Sequence, residues 1–182
     1  MAAQPFSGAA QLGYGGLAAQ AWAAMSQLTR DDDQVRFVFE VTDWAIERQL
    51  DKSGAFLEDL GYLEPTFNSA FVAEGVAASW RVATRVGDSA RAARYRRAWR
   101  LAMRFVRTLM IGPEDTFCTR EPERALGGVR TSITRSDIRI DGVSHALRAL
   151  VAGEEVHRCC VTPPTVAPDA AQRRDPIAES VR

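Results

Sequence analysis

Cysteine is scarce in this sequence, and neither sign of charge dominates it. The three cysteines, Cys118, Cys159 and Cys160, form an odd count without a C-x-x-C motif, which is typical of a reducing compartment rather than of a disulfide-bonded secreted protein. Lys+Arg and Asp+Glu both number 23, so the formal net charge is +0 and supplies no general attraction to nucleic acid or to an anionic membrane. No apolar run approaches the roughly 20 residues that span a bilayer. Because a basic start followed by an apolar stretch is also missing, we expect a cytoplasmic protein without a membrane partner.

The usual sequence motifs of catalysis and cofactor binding are missing as well. G-x-S-x-G, H-E-x-x-H and P-loop patterns do not occur, and Gly127-Gly128 does not continue into a dinucleotide-binding G-x-G-x-x-G. His157 lies beside Cys159 and Cys160, but zinc needs three or four ligands at workable spacing, and no second cluster supplies them. The sequence therefore predicts neither a metal site nor a bound cofactor.

Helical patterns fill the middle of the chain. Apolar residues recur every three or four positions and predict helices over 17–29, 35–50, 69–86, 90–110 and from 138–141 to 151. Gly87-Asp88-Ser89 places a C-cap glycine directly before N-cap residues, which indicates a tight helical hairpin. Residues 1–13 are expected to form a flexible, glycine-broken start. Beyond Gly153 the chain has four of its eight prolines and no apolar period, which predicts a disordered tail over 153–182.

These patterns predict an all-α fold for a single domain over residues 14–152. Successive helix–turn–helix units favour an αα-hairpin array or an irregular helical bundle. A second copy at a period near 34 residues is not found, so a regular solenoid is not expected.

The helix predicted over 90–110 has two contrasting faces. At about 100° per residue, one face is apolar and aromatic, and the opposite face is a narrow basic stripe of Arg97, Arg100, Arg104 and Arg107. Such a stripe is a solvated helix face or a surface for an anionic ligand or an acidic partner. Nucleic acid is not an expected partner, because the aromatic residues lie mainly opposite the arginines and form no stacking platform.

The strongest candidate for chemistry is the sequence RIDGVSHAL at 139–147. Asp141 and His145 are four residues apart, so a continuous helix places them on one face. A carboxylate beside an imidazole raises its pKa and orients it, as general acid–base catalysis requires. Arg139 adds a fixed positive charge that suits a carboxylate or hydroxyl-rich ligand. The alternative is that Asp141 is only the N-cap of its helix.

Further candidates for substrate binding lie in the long loop 111–136 and in one buried helix. Glu114, Asp115, Arg124 and Arg130 alternate carboxylates with guanidinium groups near a glycine pair. Such a loop binds sugar hydroxyls through paired hydrogen bonds, or it forms an internal salt-bridge network. Glu74 lies in an otherwise apolar helix, where a carboxylate either reaches a cleft or pairs with an arginine, because unpaired burial is costly.

The segment 114–150 resembles the closing part of bacterial proteins of the six-hairpin (α/α) toroid superfamily, which includes glycoside hydrolases and glucuronyl C5-epimerases. The resemblance rests on the R-x-D-x-x-x-H spacing of Arg139, Asp141 and His145, on the preceding helical hairpins and on the long loop. It implies a partial (α/α) toroid and a carbohydrate-active domain, or a truncated remnant of one, with a saccharide ligand. The competing hypothesis is a non-catalytic αα-hairpin scaffold that binds a protein partner.

Overall fold

The computed structural model of the chain describes residues 12–57 and 64–161. Within these ranges the secondary structure is helical and contains no β-strand, only isolated bridges, which confirms the all-α prediction. The elements in chain order are α1 (Leu12–Thr29), α2 (Asp32–Ile46), α3 (Asn68–Arg85), α4 (Ser89–Leu109), a 3₁₀ helix (Pro113–Cys118), α5 (Pro122–Ala125) and α6 (Ile140–Val161).

Helix α3 is the centre of the bundle and packs against α1, α4 and α6. Its sequence has small or apolar residues around most of its circumference, and twelve of its eighteen residues are buried. A helix that is apolar on nearly all sides is stable only when neighbours surround it. The expectation of a mostly buried helix over 69–86 is therefore confirmed.

Helix α1 begins five residues earlier than the predicted residue 17, because Gly16 packs against α3 rather than interrupts the helix. A Cβ atom added to Gly16 would lie 2.5 Å from the carbonyl oxygen of Phe71. One added to Gly75 would lie 2.5 Å from the carbonyl oxygen of Gly16. The two backbones touch at this crossing, so no larger residue fits there.

The predicted hairpin between α3 and α4 is present. Gly87 has φ +77°, a left-handed conformation that favours glycine. Asp88 caps α4 by accepting a hydrogen bond from the Arg91 amide at 3.0 Å, and the Arg91 amide and guanidinium hold the pKa of Asp88 below its usual range. Trp80 and Trp99 pack together across the hairpin with their ring centroids 6.0 Å apart.

Helix α2 lies earlier in the chain than the predicted 35–50. Asp31 caps it by accepting from the Asp33 amide at 2.9 Å, and the helix ends at Ile46. Residues after it turn back, because the Gln49 side chain donates to the carbonyl oxygens of Gly54 at 2.8 Å and Ala98 at 2.9 Å.

Helix α6 continues ten residues past the predicted end at 151. Gly153, which was expected to begin a disordered tail, lies inside the helix beneath the Trp99 indole. A Cβ atom at this position would lie 2.1 Å from Trp99 Cε2, and the indole nitrogen donates to the Ala149 carbonyl at 2.9 Å. The glycine is thus a packing requirement rather than a helix stop. The predicted flexible start lies largely outside the described residues, as does the predicted tail after Val161.

Candidate functional site

A cleft of about 360 Å³ opens at the N-terminal end of α3. It lies where the start of α1, the start of α3 and the segment from Thr131 to Asp141 meet, and we name it the α3 cleft. The side chains that line it include Tyr14 from α1, Asn68 and Phe71 from α3, and Arg135, Arg139 and Asp141 from the last segment.

Backbone pairing fixes the segment 131–137 beside the start of α3. The Phe67 amide donates to the Thr131 carbonyl at 2.9 Å, and Thr66 and Ser132 form an isolated antiparallel bridge. The Ser132 hydroxyl is buried and donates to Glu64 at 2.5 Å. These bonds hold one wall of the cleft without regular strands, which explains why a helix-based interpretation of the sequence does not locate it.

Asp141 is bound by its neighbour Arg139 in a two-point ion pair. Arg139 Nε donates to Asp141 Oδ1 at 3.1 Å and Nη2 donates to Oδ2 at 2.9 Å, while the Gly142 amide donates to Oδ1 at 3.0 Å. The Arg139 guanidinium, followed by the Gly142 amide, holds the pKa of Asp141 below its usual range. Asp141 is therefore ionised near neutral pH, which suits hydrogen-bond acceptance and not proton donation.

Asp141 is in the first turn of α6 rather than at its N-cap, since the helix begins at Ile140. A carboxylate in this turn interacts favourably with the positive end of the helix dipole. The predicted capping role is thus replaced by a related one, in which Asp141 accepts from the amide of the following residue and pairs with Arg139.

His145 has a different carboxylate partner from the one that the spacing suggested. Its Nδ1 lies 2.7 Å from Glu74 Oε2, and its ring stacks on Phe71 with centroids 3.6 Å apart. Glu74 is 4% exposed and also receives Arg148 Nη2 at 2.8 Å on its other oxygen. Glu74, His145 and Arg148 therefore meet at the α3–α6 contact, whereas Asp141 pairs with Arg139.

Glu74 also borders a second, smaller depression between α1 and α6. This depression is lined by Gln20 and Gln27 from α1, by Glu74 and Arg81 from α3, and by Ala152 from α6. The Gln20 side-chain nitrogen is buried and has no hydrogen-bond partner in the described part of the chain. Glu74 thus belongs to the packing between helices rather than to the lining of the α3 cleft.

The loop candidates do not line the α3 cleft. Asp115 accepts from the Gly112 amide at 3.0 Å, Arg124 pairs with Glu121 at 2.7 Å, and Arg130 Nη2 donates to the Thr108 carbonyl at 2.8 Å. Glu114 is exposed, and its carboxylate lies beside Gly112. Arg124 therefore forms a local, exposed ion pair, whereas Asp115 and Arg130 bind backbone groups of the loop and of the end of α4.

Sequence reasoning did not identify Tyr14, Asn68, Phe71 or Arg135 as cleft residues. Tyr14 lies in the glycine-rich stretch before the first predicted helix, and Phe71 lies in the helix over 69–86 that was expected to be mostly buried. Arg135 could have been identified from the sequence, because it lies at the end of the polar loop 111–136 and only four residues before the candidate Arg139. Its partner is Asp137, at 3.4 Å.

Among the residues that the structure describes, no three His, Cys, Asp or Glu side chains form a group that could hold a metal ion. No helix within 12–57 and 64–161 combines the length and the apolar character needed to cross a bilayer.

Comparison with known proteins reveals no relative of this chain. No protein-family model matches it, no curated protein matches it, and no solved structure matches its fold.

Proposed function

We propose that the protein binds a small saccharide in the α3 cleft. The observation that carries this proposal is the Arg139–Asp141 pair at the cleft, joined by two hydrogen bonds of 3.1 and 2.9 Å. A guanidinium beside an ionised carboxylate presents donors and acceptors side by side, and vicinal sugar hydroxyls both donate and accept. Because the two charges cancel, such a pair suits a neutral, hydroxyl-rich ligand better than a multivalent anion.

The remaining lining supports the same ligand class. Tyr14 is 65% exposed, so its ring offers an apolar face on which the C–H groups of a sugar ring can pack, while its hydroxyl can form a hydrogen bond. Asn68 and Arg135 add polar side chains around the opening. A few polar groups around an aromatic surface are typical of small-molecule sites.

Binding is a better-supported function than hydrolysis. Glycosidases use two carboxylic groups about 5–9.5 Å apart, one of which must be protonated to act as the acid. Asp141 is the one carboxylate among the described residues that line the cleft, and its lowered pKa keeps it ionised. We therefore propose a saccharide-binding domain, and leave glycoside hydrolase or epimerase activity as the expectation of the family resemblance alone.

Isothermal titration calorimetry of the full chain with glucose, glucuronic acid and a disaccharide of each tests the proposal. Asp141→Asn should weaken binding about tenfold or more, because hydrogen bonds to a charged group contribute about 1.5–3 kcal/mol. The matched control is Glu121→Gln, which removes a carboxylate from an ion pair that does not line the α3 cleft and should leave affinity unchanged. If none of these saccharides binds the wild-type chain, the proposal is wrong.

The alternative proposal is a non-catalytic scaffold for a protein partner. Its support is a different surface, the outer side of α6, where Ile140 is 89% and Leu147 is 60% exposed while the small residues Ala146, Ala149 and Gly153 face inward. An ordinary surface helix buries its large apolar side chains, whereas α6 exposes large apolar side chains and buries small ones. Sedimentation that shows a concentration-dependent dimer, lost in Leu147→Ser, would support the scaffold. A monomer at every concentration would count against self-association through this face.

A further inference from the structure

The outer face of α4 carries a straight line of arginine side chains. At about 100° per residue, Arg97, Arg100, Arg104 and Arg107 lie within about 80° of one another, opposite the buried face that holds Trp99. All four are exposed. Arg97 and Arg107 are ten positions apart in the sequence, which is about 15 Å along the helix axis.

These four arginines form a continuous line that contains no ion pair with the part of the chain that the structure describes. Other arginines of the bundle do pair with carboxylates, for example Arg81 with Glu155 at 2.8 Å and Arg148 with Glu74 at 2.8 Å. On the α4 face, the arginines at 97, 100, 104 and 107 have no carboxylate oxygen within 4.0 Å among the described residues.

The neighbourhood of this face adds positive charge and a small apolar surface. Arg104 donates to the carbonyl oxygen of Lys52 at 3.3 Å, so another basic residue adjoins the line. A shallow groove runs between the arginines, and Ala93 and Leu101 contribute to its lining together with the arginine side chains. Arginine stems cover apolar surface while their charged ends stay in water. The face is therefore basic at its edges and partly apolar between them.

We propose that this face of α4 docks an acidic, amphipathic helix of a protein partner. A helix with Asp or Glu at positions i, i+3, i+7 and i+10 has the same axial spacing as the four arginines, because both follow one helical repeat. Guanidinium groups bind carboxylates through two parallel hydrogen bonds. Small apolar residues of the partner helix pack on Ala93, Leu101 and the apolar stems of the arginines. The proposal uses no residue of the α3 cleft and is independent of saccharide binding.

An acidic helix is favoured over nucleic acid by two observations. The whole chain has a net charge of +0 and a pI near 6.7, whereas domains that bind nucleic acid commonly have a pI above about 9. The described residues that line the groove include no aromatic ring on which a base could stack, and such stacking supplies much of the affinity for single strands.

Fluorescence anisotropy with three labelled probes tests the proposal on the full chain. The first probe is a synthetic 18-residue helical peptide with Glu at i, i+3, i+7 and i+10 and with Leu and Ala between them on that face. The second has the same composition with its glutamates distributed around the helix. The third is a duplex DNA of 20 base pairs. Only the first probe should bind tightly, and higher salt should weaken its binding, because the contacts are exposed charges.

Charge variants locate the binding surface. The triple variant Arg97→Gln/Arg100→Gln/Arg104→Gln should weaken binding of the first peptide about tenfold, which is about 1.4 kcal/mol, as expected for the loss of three exposed ion pairs. A triple change of Arg36, Arg120 and Arg124 to Gln removes the same charge from exposed positions elsewhere and should change affinity less than about twofold. Equal loss in both variants, equal binding of the second peptide, tighter binding of DNA, or no binding of the first peptide would each overturn the proposal.

Discussion

Replacing Gly153 by alanine tests the packing of α6 directly, because the structure and the intrinsic helix propensity predict opposite signs. In an exposed helix interior, Gly→Ala stabilises by about 1 kcal/mol. Here the added methyl group would lie 2.1 Å from Trp99 Cε2 and 2.2 Å from Cζ2. Both distances are far below van der Waals contact, so the indole must move. Movement also strains its hydrogen bond to the Ala149 carbonyl, which is 2.9 Å long.

The expected result is a net destabilisation of about 1–3 kcal/mol. Overpacking a core costs about 1–3 kcal/mol, and weakening a buried hydrogen bond costs about 1 kcal/mol more. The higher helix propensity of alanine offsets about 1 kcal/mol of this cost. Urea denaturation followed by circular dichroism measures this as a lower midpoint with an unchanged slope.

Gly15→Ala is the matched control for this prediction. Gly15 is also inside a helix, but its added Cβ would lie 3.4 Å from the Trp44 ring, which is ordinary contact. This variant should be neutral or stabilised by up to about 1 kcal/mol. If Gly153→Ala is as stable as Gly15→Ala, residue 153 does not lie beneath Trp99, and the interpretation of α6 as one continuous helix across that position is refuted.

Three other predictions concern the core and the cleft. Trp80→Ala and Trp99→Ala should each lower the free energy of unfolding by about 3–5 kcal/mol, because the two side chains are 3% and 7% exposed; calorimetric losses near zero would contradict their burial. Tyr95→Phe should cost about 1–2 kcal/mol in urea denaturation, because its buried hydroxyl donates to Asp43 at 2.8 Å and the substitution leaves that acceptor without this bond. The Arg139 guanidinium lowers the pKa of Asp141. The contribution that this carboxylate makes to stability and to the proposed saccharide binding should therefore be complete above the ordinary aspartate pKa of about 3.9 and be lost as the pH falls through the lowered pKa. A saccharide affinity that falls between pH 8 and pH 6 would show that another group controls binding.

Local sequence signals predicted the α3–α4 hairpin well. Gly87 and Asp88 specify a left-handed C-cap and an N-cap through their own backbone and side-chain chemistry, so no distant residue is needed to interpret them. The apolar face of α4 was predictable for the same reason, since periodicity assigns Tyr95 and Trp99 to one side of the helix. Both residues are buried.

The sequence could not predict which partner His145 would take. A spacing of four residues places Asp141 and His145 on one helix face, but Arg139 is closer in sequence to the same carboxylate and binds it with two hydrogen bonds. The acceptor that His145 contacts is Glu74, 71 residues away. Only the packing of α6 on α3 brings those two side chains together, and no local pattern encodes that contact. The prediction that α6 ends near Gly153 was wrong for a related reason. The sequence does not distinguish a glycine that ends a helix from one that makes room for a neighbouring indole ring.

Glu74 provides the link between this packing and the proposed saccharide site. The contact of α6 with α3 includes small residues such as Ala146 and Ala149, which allow close approach but form no side-chain hydrogen bonds. The Glu74 carboxylate lies 2.7 Å from His145 Nδ1 and 2.8 Å from Arg148 Nη2, and therefore adds directional contacts that help to hold the first turns of α6 on α3. A buried ion pair often adds specificity rather than stability.

Glu74→Leu should accordingly keep most of the stability while it weakens saccharide binding. Arg148 is 58% exposed, so its guanidinium can turn to water once the carboxylate is gone. His145 is 15% exposed and loses its hydrogen-bond partner, so we expect a loss of about 1–3 kcal/mol in the free energy of unfolding. The start of α6 then lacks two of its contacts with α3, and Asp141, one turn before His145, shifts relative to the α3 side of the cleft. Misplacing a binding group by about 1 Å is enough to lose much of its contribution. Calorimetric titration with the saccharides above, beside urea denaturation, separates the outcomes. Lower affinity with a stability loss of about 1–3 kcal/mol supports a positioning role, whereas the same or a larger loss with unchanged affinity would show that Glu74 only stabilises the fold.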